Sequence, residues 1–259
     1  MEPPISPLLF CVVLFLGMLT LLEVGRRLGI KRRSKEAEGE RGNLGTIEGA
    51  VFALFGLLMA FTFSGAASRF NEKRMLIAEE ANTVETSYLR LYLLPREARI
   101  SLQELFRRYV DSRLETYRRL PDLNAARAEM ANSKNIQEEI WMEAVAATQL
   151  PDAHPDAGKL LLPALNAMID ITTTRTVALQ LHPPRIIYAL LFGLGLLCAL
   201  LAGYRMAGGQ HRSWIHIGGF TVITVIIVYV MLDVEYPRAG LIRLEASDQV
   251  LVEVRKAMK

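Results

Sequence analysis

Gly49-Ala-Val-Phe-Ala-Leu-Phe-Gly-Leu-Leu-Met-Ala-Phe-Thr-Phe-Ser64 contains neither a charge nor a proline, and it opens a longer proline-free run from Ile47 to Leu94. An uncharged segment of this length crosses most of a hydrocarbon layer about 30 Å thick, so it reads as a membrane span. Beyond Arg69 the apolar residues Phe70, Ile77, Ala81, Val84, Tyr88 and Leu91 continue at steps of three and four. Glu72, Lys73, Glu79, Glu80, Glu85 and Arg90 take the other faces, which is the pattern of an amphipathic helix. Pro95 ends the run. An unbroken helix over these 48 residues (94 − 47 + 1) would extend roughly 70 Å at about 1.5 Å per residue. Gly65 is where a bend would fall.

Within the span Gly49, Ala53, Gly56, Ala60, Ser64 and Ala67 draw a stripe of small side chains along one helical face. Such stripes let helix backbones approach closely in lipid, where packing rather than hydrophobicity drives association. Phe52, Phe55, Met59 and Phe63 form a bulky face beside it. Two readings follow. Either the stripe serves ordinary helix packing, or one face of this helix lies along an oligomer axis or pore lined by Phe52, Phe55, Phe63, Thr62 or Ser64.

Outward from this helix, three further apolar runs read as spans: Ile5 to Val24, Ile186 to Gly203 and Trp214 to Leu232. The first lacks the basic start of a secretory signal, since it follows Met1-Glu-Pro-Pro, and is expected to be retained. The β-branched run Thr221 to Val228 is acceptable in a membrane helix, where every backbone group is bonded internally. Arg26, Arg27, Lys31, Arg32, Arg33, Lys35 and Arg41 against Glu36, Glu38 and Glu40 make a short, positively biased loop between the first two spans. Arg205, His211 and Arg212 mark another short loop between the last two. Short basic loops stay in the cytoplasm, which directs the region from Arg69 to Pro184 and the tail after Asp233 outward.

The insert after Pro95 reads as helices punctuated by proline. Leu102 to Leu120 ends at Pro121, Met130 to Thr148 stops before Pro151, and Leu165 to Leu179 runs toward Pro183 and Pro184. With the extension of the central helix this predicts an antiparallel helical bundle outside the bilayer. Pro237 and Gly240 predict a turn, after which Ser247 and Asp248 are candidate caps of a short C-terminal helix ending in Arg255, Lys256 and Lys259. The expected fold class is all-α, with four transmembrane helices and an extramembrane bundle between the second and third. The corresponding segments are 1–68, 69–184, 185–233 and 234–259.

In a chain of 259 residues, 51% hydrophobic and 22% charged, neither a disordered protein nor a pure bundle of spans is indicated. A net charge of +3 does not suggest a nucleic-acid partner. Cys11 and Cys198 both fall in spans, so neither a disulfide framework nor a thiolate site is expected. There is no phosphate loop, nucleotide fingerprint, zincin motif or Gly-x-Ser-x-Gly elbow, and His154, His182, His211 and His216 show no ligand spacing. No enzyme activity, no metal and no cofactor are expected. Carboxylates at span ends are the better lead: Glu48 and Asp233, like Glu23 and Glu235, sit at predicted boundaries, and Glu79 lies beyond one. Repeated around an axis they would make charged rings that favour cations, while in a single subunit they would be hydrated or paired. No span carries a central charge of the kind that marks a proton relay.

Gly56-Leu-Leu-Met-Ala-Phe-Thr-Phe-Ser64, Ser68-Arg-Phe70, Glu79-Glu-Ala-Asn82, Tyr88-Leu-Arg-Leu91, Leu94-Pro95 and Asp233-x-Glu-x-Pro237-x-x-Gly240 together resemble the bacterial bestrophin-like membrane proteins, a family of largely uncharacterised function. The resemblance covers most of the chain from the central helix onward and is more distant for bestrophins themselves. Those are pentameric anion channels with phenylalanines at the neck of a long second-span helix. It implies a homo-oligomer, a pentamer by analogy, in the bacterial inner membrane, with membrane lipid and inorganic ions as partners. Phe52, Phe55 and Phe63 become the neck candidates. Bestrophins keep their helical domain in the cytosol, opposite to the side that the loop charges indicate here. An ion-conducting pore is the leading expectation; a non-conducting scaffold or sensor whose bundle binds a protein or small ligand is the rival.

Overall fold

The computed structural model describes residues 6–32, 38–119, 122–207, 214–236, 241–242 and 245–258, with side chains at 38–44, 123 and 245–248 left aside. Readings that involve Ile5, Arg33, Lys35, Glu36, Leu120, Pro121, His211, Arg212, Pro237, Gly240 and Lys259 lie outside the described residues, as do the caps expected of the Ser247 and Asp248 side chains. The described elements are helical: α1 Pro7–Arg32, α2 Glu38–Arg90, a 3-10 turn Leu91–Leu93, α3 Arg96–Arg118, α4 Leu123–Ala147, α5 Ala157–Gln180, α6 Arg185–Met206, α7 Trp214–Glu235 and α8 Glu245–Ala257. The protein is therefore all-α, and four helical stretches are long and apolar enough to cross a membrane, in Pro7–Arg32, Gly45–Leu93, Ala157–Met206 and Trp214–Glu235.

The boundaries correct the expected ones in four places. The basic loop after the first span is narrower than expected, because α1 continues to Arg32 and α2 already begins at Glu38. Lys31 and Arg32 in the last turn of α1 favour that extension, since cations stabilise the negative end of the helix dipole. α2 ends at Arg90 rather than Leu94, giving way to the 3-10 turn before Pro95, and it passes through Gly65 as one helix. α7 does not stop at Asp233 but runs to Glu235. α8 starts at Glu245, so Ser247 and Asp248 already lie inside it.

The chain divides into two compact units. One takes Phe70–Leu181 and the C-terminal helix α8; the other takes the chain up to Arg69 and His182–Tyr236. In the first unit the end of α2 (Ala81, Val84, Tyr88), α3 (Phe106, Tyr109, Val110), α4 (Ile136, Ile140), α5 (Leu161, Leu165, Met168) and α8 (Leu251) share one apolar core. Burying side chains of this size stabilises by about 1.5–3 kcal/mol each. α4 starts at a real cap: the Asp122 carboxylate accepts from the backbone N–H of Asn124 and Ala125, both at 3.0 Å. That cap is worth about 1 kcal/mol. Between α3 and α4 the Ser112 hydroxyl bonds Ser133 at 2.8 Å and donates to Glu129 at 2.6 Å.

The second unit is assembled by close backbone approach. A Cβ on Gly25 of α1 would fall 2.0 Å from the Leu200 carbonyl of α6, and one on Gly203 would fall 2.0 Å from the Leu22 carbonyl. Gly29 has a similar constraint against Ala207 and Tyr204. These glycines let α1 and α6 touch backbone to backbone, the arrangement that small residues permit in lipid. Phe10 meets Phe192 edge-on at 5.3 Å along the same seam.

Candidate functional site

Within the second unit α2 has two unlike faces. Glu48, Phe55, Thr62 and Ala66 are buried and Phe52 and Met59 half-buried, a stripe at steps of three and four that points into the unit. The Phe52 ring meets Phe220 of α7 edge-on at 5.9 Å. Phe55 enters the notch left by Gly195 of α6, its ring 3.4 Å from where a Cβ there would stand. The Thr62 hydroxyl donates to the Leu58 carbonyl one turn earlier, at 2.7 Å.

Phe55, only 4% exposed, is wedged between helices of its own unit, and Thr62 directs its hydroxyl to its own backbone. Phe63 and Ser64 are exposed. The expected packing residues Gly49, Ala53, Gly56 and Ala60 are exposed as well, and a Cβ on Gly49 or Gly56 would meet nothing within 4 Å. Inside the subunit the close approaches are made instead by Gly25, Gly29 and Gly203.

Ion pairs bracket the inward stripe of α2. Near its start, Arg205 of α6 donates to Glu48 at 3.4 Å. Near the end of this unit's share of α2, Arg69 donates through Nε and Nη2 to Glu235 at the close of α7, the shortest contact being 2.7 Å. Glu235 also lies 3.1 Å from His182 Nδ1, and the His182 ring stacks on Tyr236 at 4.7 Å. A fully covered carboxylate is retained because an arginine fork and an imidazole meet it. The candidate ring residues therefore part ways: Glu48 is paired, Asp233 is 2% exposed, and Glu79 faces outward.

In the first unit a second carboxylate is entirely enclosed. Glu80 accepts from Arg113 Nε at 2.6 Å and from Arg175 Nη1, with the Tyr117 hydroxyl 3.5 Å away. Arg175 lies over the Tyr117 ring, 4.4 Å from its centroid, and Arg113 donates to the Tyr117 hydroxyl at 2.5 Å. Burial alone would raise the pKa of Glu80, but the charges of Arg113 and Arg175 and their hydrogen bonds override it and hold the carboxyl below its ordinary value. Nearby, burial pushes the Tyr109 phenol upward, and its hydroxyl accepts from Gln137 at 3.1 Å. The cluster ties α2, α3 and α5 together through one anion and two cations. It fixes those helices; it offers neither a nucleophile with a base nor a metal-binding set.

Glu79 and Glu80, both expected away from the apolar face, part ways: Glu79 lies outside and Glu80 inside. The missed signal is positional. Glu80 lies three residues after Ile77 and four before Val84, on the apolar stripe itself. Arg113 likewise sits between Tyr109 and Tyr117 on the buried face of α3. Arg90 donates to the Leu160 carbonyl at 2.5 Å. His182 meets the Glu235 carboxylate through Nδ1 at 3.1 Å. Among the described residues no group of three or more His, Cys, Asp or Glu side chains is arranged to hold a metal ion.

The family model of the bestrophin-like domain matches residues 12–248. No curated protein and no solved structure matches the chain.

Proposed function

The chain belongs to the bestrophin-like family, and from that premise we propose that it is a membrane protein whose copies assemble around an ion-conducting axis. In this reading α2 stands nearest the axis, and the helices of 70–181 stand outside the bilayer as a vestibule. The observation that carries it is the division of α2. Its inward stripe is consumed by Phe220, Gly195, Arg205 and Glu235, while Gly49, Ala53, Gly56 and Ala60 are left bare on a flanking face. A bare small-residue face suits close approach of a second α2.

Phe63 and Ser64, exposed next to that face, are the lining residues this reading keeps. Glu79 is the remaining ring candidate, since Glu48 is neutralised within its own subunit. A pentamer follows from the family analogy, as does a bacterial inner membrane setting. The protein conducts inorganic ions and catalyses no reaction. Reconstitution of the purified full chain into planar bilayers tests this. Unitary currents are expected, with reversal potentials in a salt gradient assigning anion or cation selectivity; silence across salts, voltages and pH rejects the proposal.

A scaffold or sensor is the second reading, favoured by exposed apolar side chains on the 70–181 unit, among them Met75, Tyr92 and Met142. Large exposed apolar groups of this kind mark interaction surfaces when they lie together. Phe63→Ala separates the readings. Altered conductance supports the pore, whereas unchanged electrical behaviour with partner binding lost on Met142→Ser supports the scaffold.

A further inference from the structure

α1, α6 and α7 enclose a cavity of about 240 Å³ at the end of the second unit where α1 and α6 finish and α7 begins. Leu19, Leu22, Met206 and Ile217 make its apolar wall, and Glu23, Arg26 and Trp214 stand around it. The floor is tight, because Gly203 rests against the Leu22 backbone. A cavity of roughly 150 Å³ already accepts benzene when its walls are apolar. Pockets for whole small molecules run from about 300 to 1,000 Å³. This one therefore suits a stretch of a single hydrocarbon chain, not an entire metabolite.

The charges select among lipids. Glu23 is engaged by Arg27, whose Nε donates to Oε1 at 2.9 Å. Arg26, half-buried and facing the cavity, has no hydrogen-bond or ion-pair partner among the described residues. A guanidinium drawn partly out of water at a membrane boundary calls for an acceptor, and a phosphate diester supplies two oxygens in the geometry its fork prefers. Arg27 and Arg205 nearby are offset by Glu23 and Glu48, and Lys31 and Arg32 at the end of α1 leave the local field positive. Trp214, 63% exposed, sits at the rim, the level at which indole rings anchor in headgroups.

We infer that this cavity is a binding site for one anionic phospholipid, with its phosphodiester on Arg26 and one acyl chain against Leu19, Leu22 and Ile217. The chain has two tryptophans, so Trp141→Phe leaves Trp214 as a single reporter at the rim. The full chain carrying that change, in mild detergent, is titrated with phosphatidylglycerol brominated along one acyl chain. Brominated phosphatidylcholine and inorganic phosphate serve as parallel arms. Saturable quenching of Trp214 is expected at concentrations at least tenfold lower for phosphatidylglycerol than for phosphatidylcholine. Arg26→Gln should abolish that preference, Arg26→Lys should keep most of it, and Ile217→Phe, which fills the cavity, should weaken quenching by both lipids. Equal midpoints for the two lipids, unchanged by Arg26→Gln, would mean that only annular lipid is seen and would overturn the inference. Displacement of the brominated lipid by micromolar inorganic phosphate would assign the site to the free anion and overturn it equally. Should Arg26→Gln fail to fold, Arg26→Lys and Ile217→Phe decide between these outcomes.

Discussion

Replacing Glu80 by glutamine removes one negative charge and almost no volume, which isolates the electrostatic part of the buried cluster. Glu80, Arg113 and Arg175 are 0%, 3% and 5% exposed, so solvent screens none of them appreciably. Breaking a buried pair by neutralising one partner costs roughly 3–5 kcal/mol, because an uncompensated charge stays behind. Here two guanidiniums lose their shared anion at once, which favours the upper part of that range. At about 2–4 °C per kcal/mol for a chain of this size, the midpoint should fall by roughly 6–20 °C. Thermal melts in detergent, followed through Trp141, which packs on the core of the same unit, read this directly. Glu79→Gln makes the same charge change on an exposed neighbour and should stay within about 0.5 kcal/mol of the parent. The pH dependence has a definite sign. Because the folded carboxyl titrates below its ordinary 4.5, its contribution is complete above that pH and fades as the pH falls through the depressed value. The gap between parent and Glu80→Gln should be flat from about pH 8 to 5.5 and close only below about 4.5. A variant that melts within about 2 °C of Glu79→Gln would refute the assignment of the cluster as the tie between α2, α3 and α5.

Gly203→Ala forces a methyl to 2.0 Å from the Leu22 carbonyl, so it should destabilise by about 1–3 kcal/mol as read by detergent melts. Gly56→Leu points into open space and should leave the subunit's melt unchanged while reducing the mass of the assembly in light scattering. Phe55→Ala empties the notch at Gly195 and should cost about 3–5 kcal/mol; Phe63→Ala should spare stability and change single-channel conductance. In α8 the paired Arg255 and Asp111 are exposed enough that Arg255→Gln should cost under about 1 kcal/mol. Leu251→Ala should cost about 2–5 kcal/mol and speed amide exchange through α8.

Helix existence was legible from the residues because uncharged runs and three-four periodicity are local properties. The four apolar stretches, the amphipathic extension of α2 and the helices of 96–180 all followed from that pattern. Helix ends were less legible. The pattern does not register that Glu38 to Thr46, polar and without an apolar stripe, continues the same coil as Ile47, because a helix already nucleated propagates at little cost. The enclosed carboxylates were half legible. Glu80 and Glu235 both stand in the short motifs that carry the family resemblance, yet a charged residue beside a helix boundary looks hydrated until its cation is found elsewhere. Arg113 lies 33 positions from Glu80 and Arg175 lies 95 away, separations that no local periodicity spans.

The same limit applies to the small-residue stripe of α2, whose pattern is visible in the sequence and whose partner is not. Gly25 and Gly29 of α1 repeat at the same four-residue step as Ala53 and Ala60 repeat at three and four around Gly56, but only the α1 glycines meet another backbone within the subunit. A missing side chain lowers the distance of closest approach; it carries no information on which surface comes near. What singles out α2 is the cost already committed on its other side. Phe52, Phe55 and Thr62 face inward, with Glu48 and Arg69 paired at their two ends, so α2 cannot roll to bury its glycines without leaving two carboxylates without their cations. Of the two, Glu235 is fully covered, and leaving it without Arg69 costs several kcal/mol. The bare face is thus fixed outward by electrostatics inside the subunit, and whatever covers it, lipid or a second copy, meets it in that orientation.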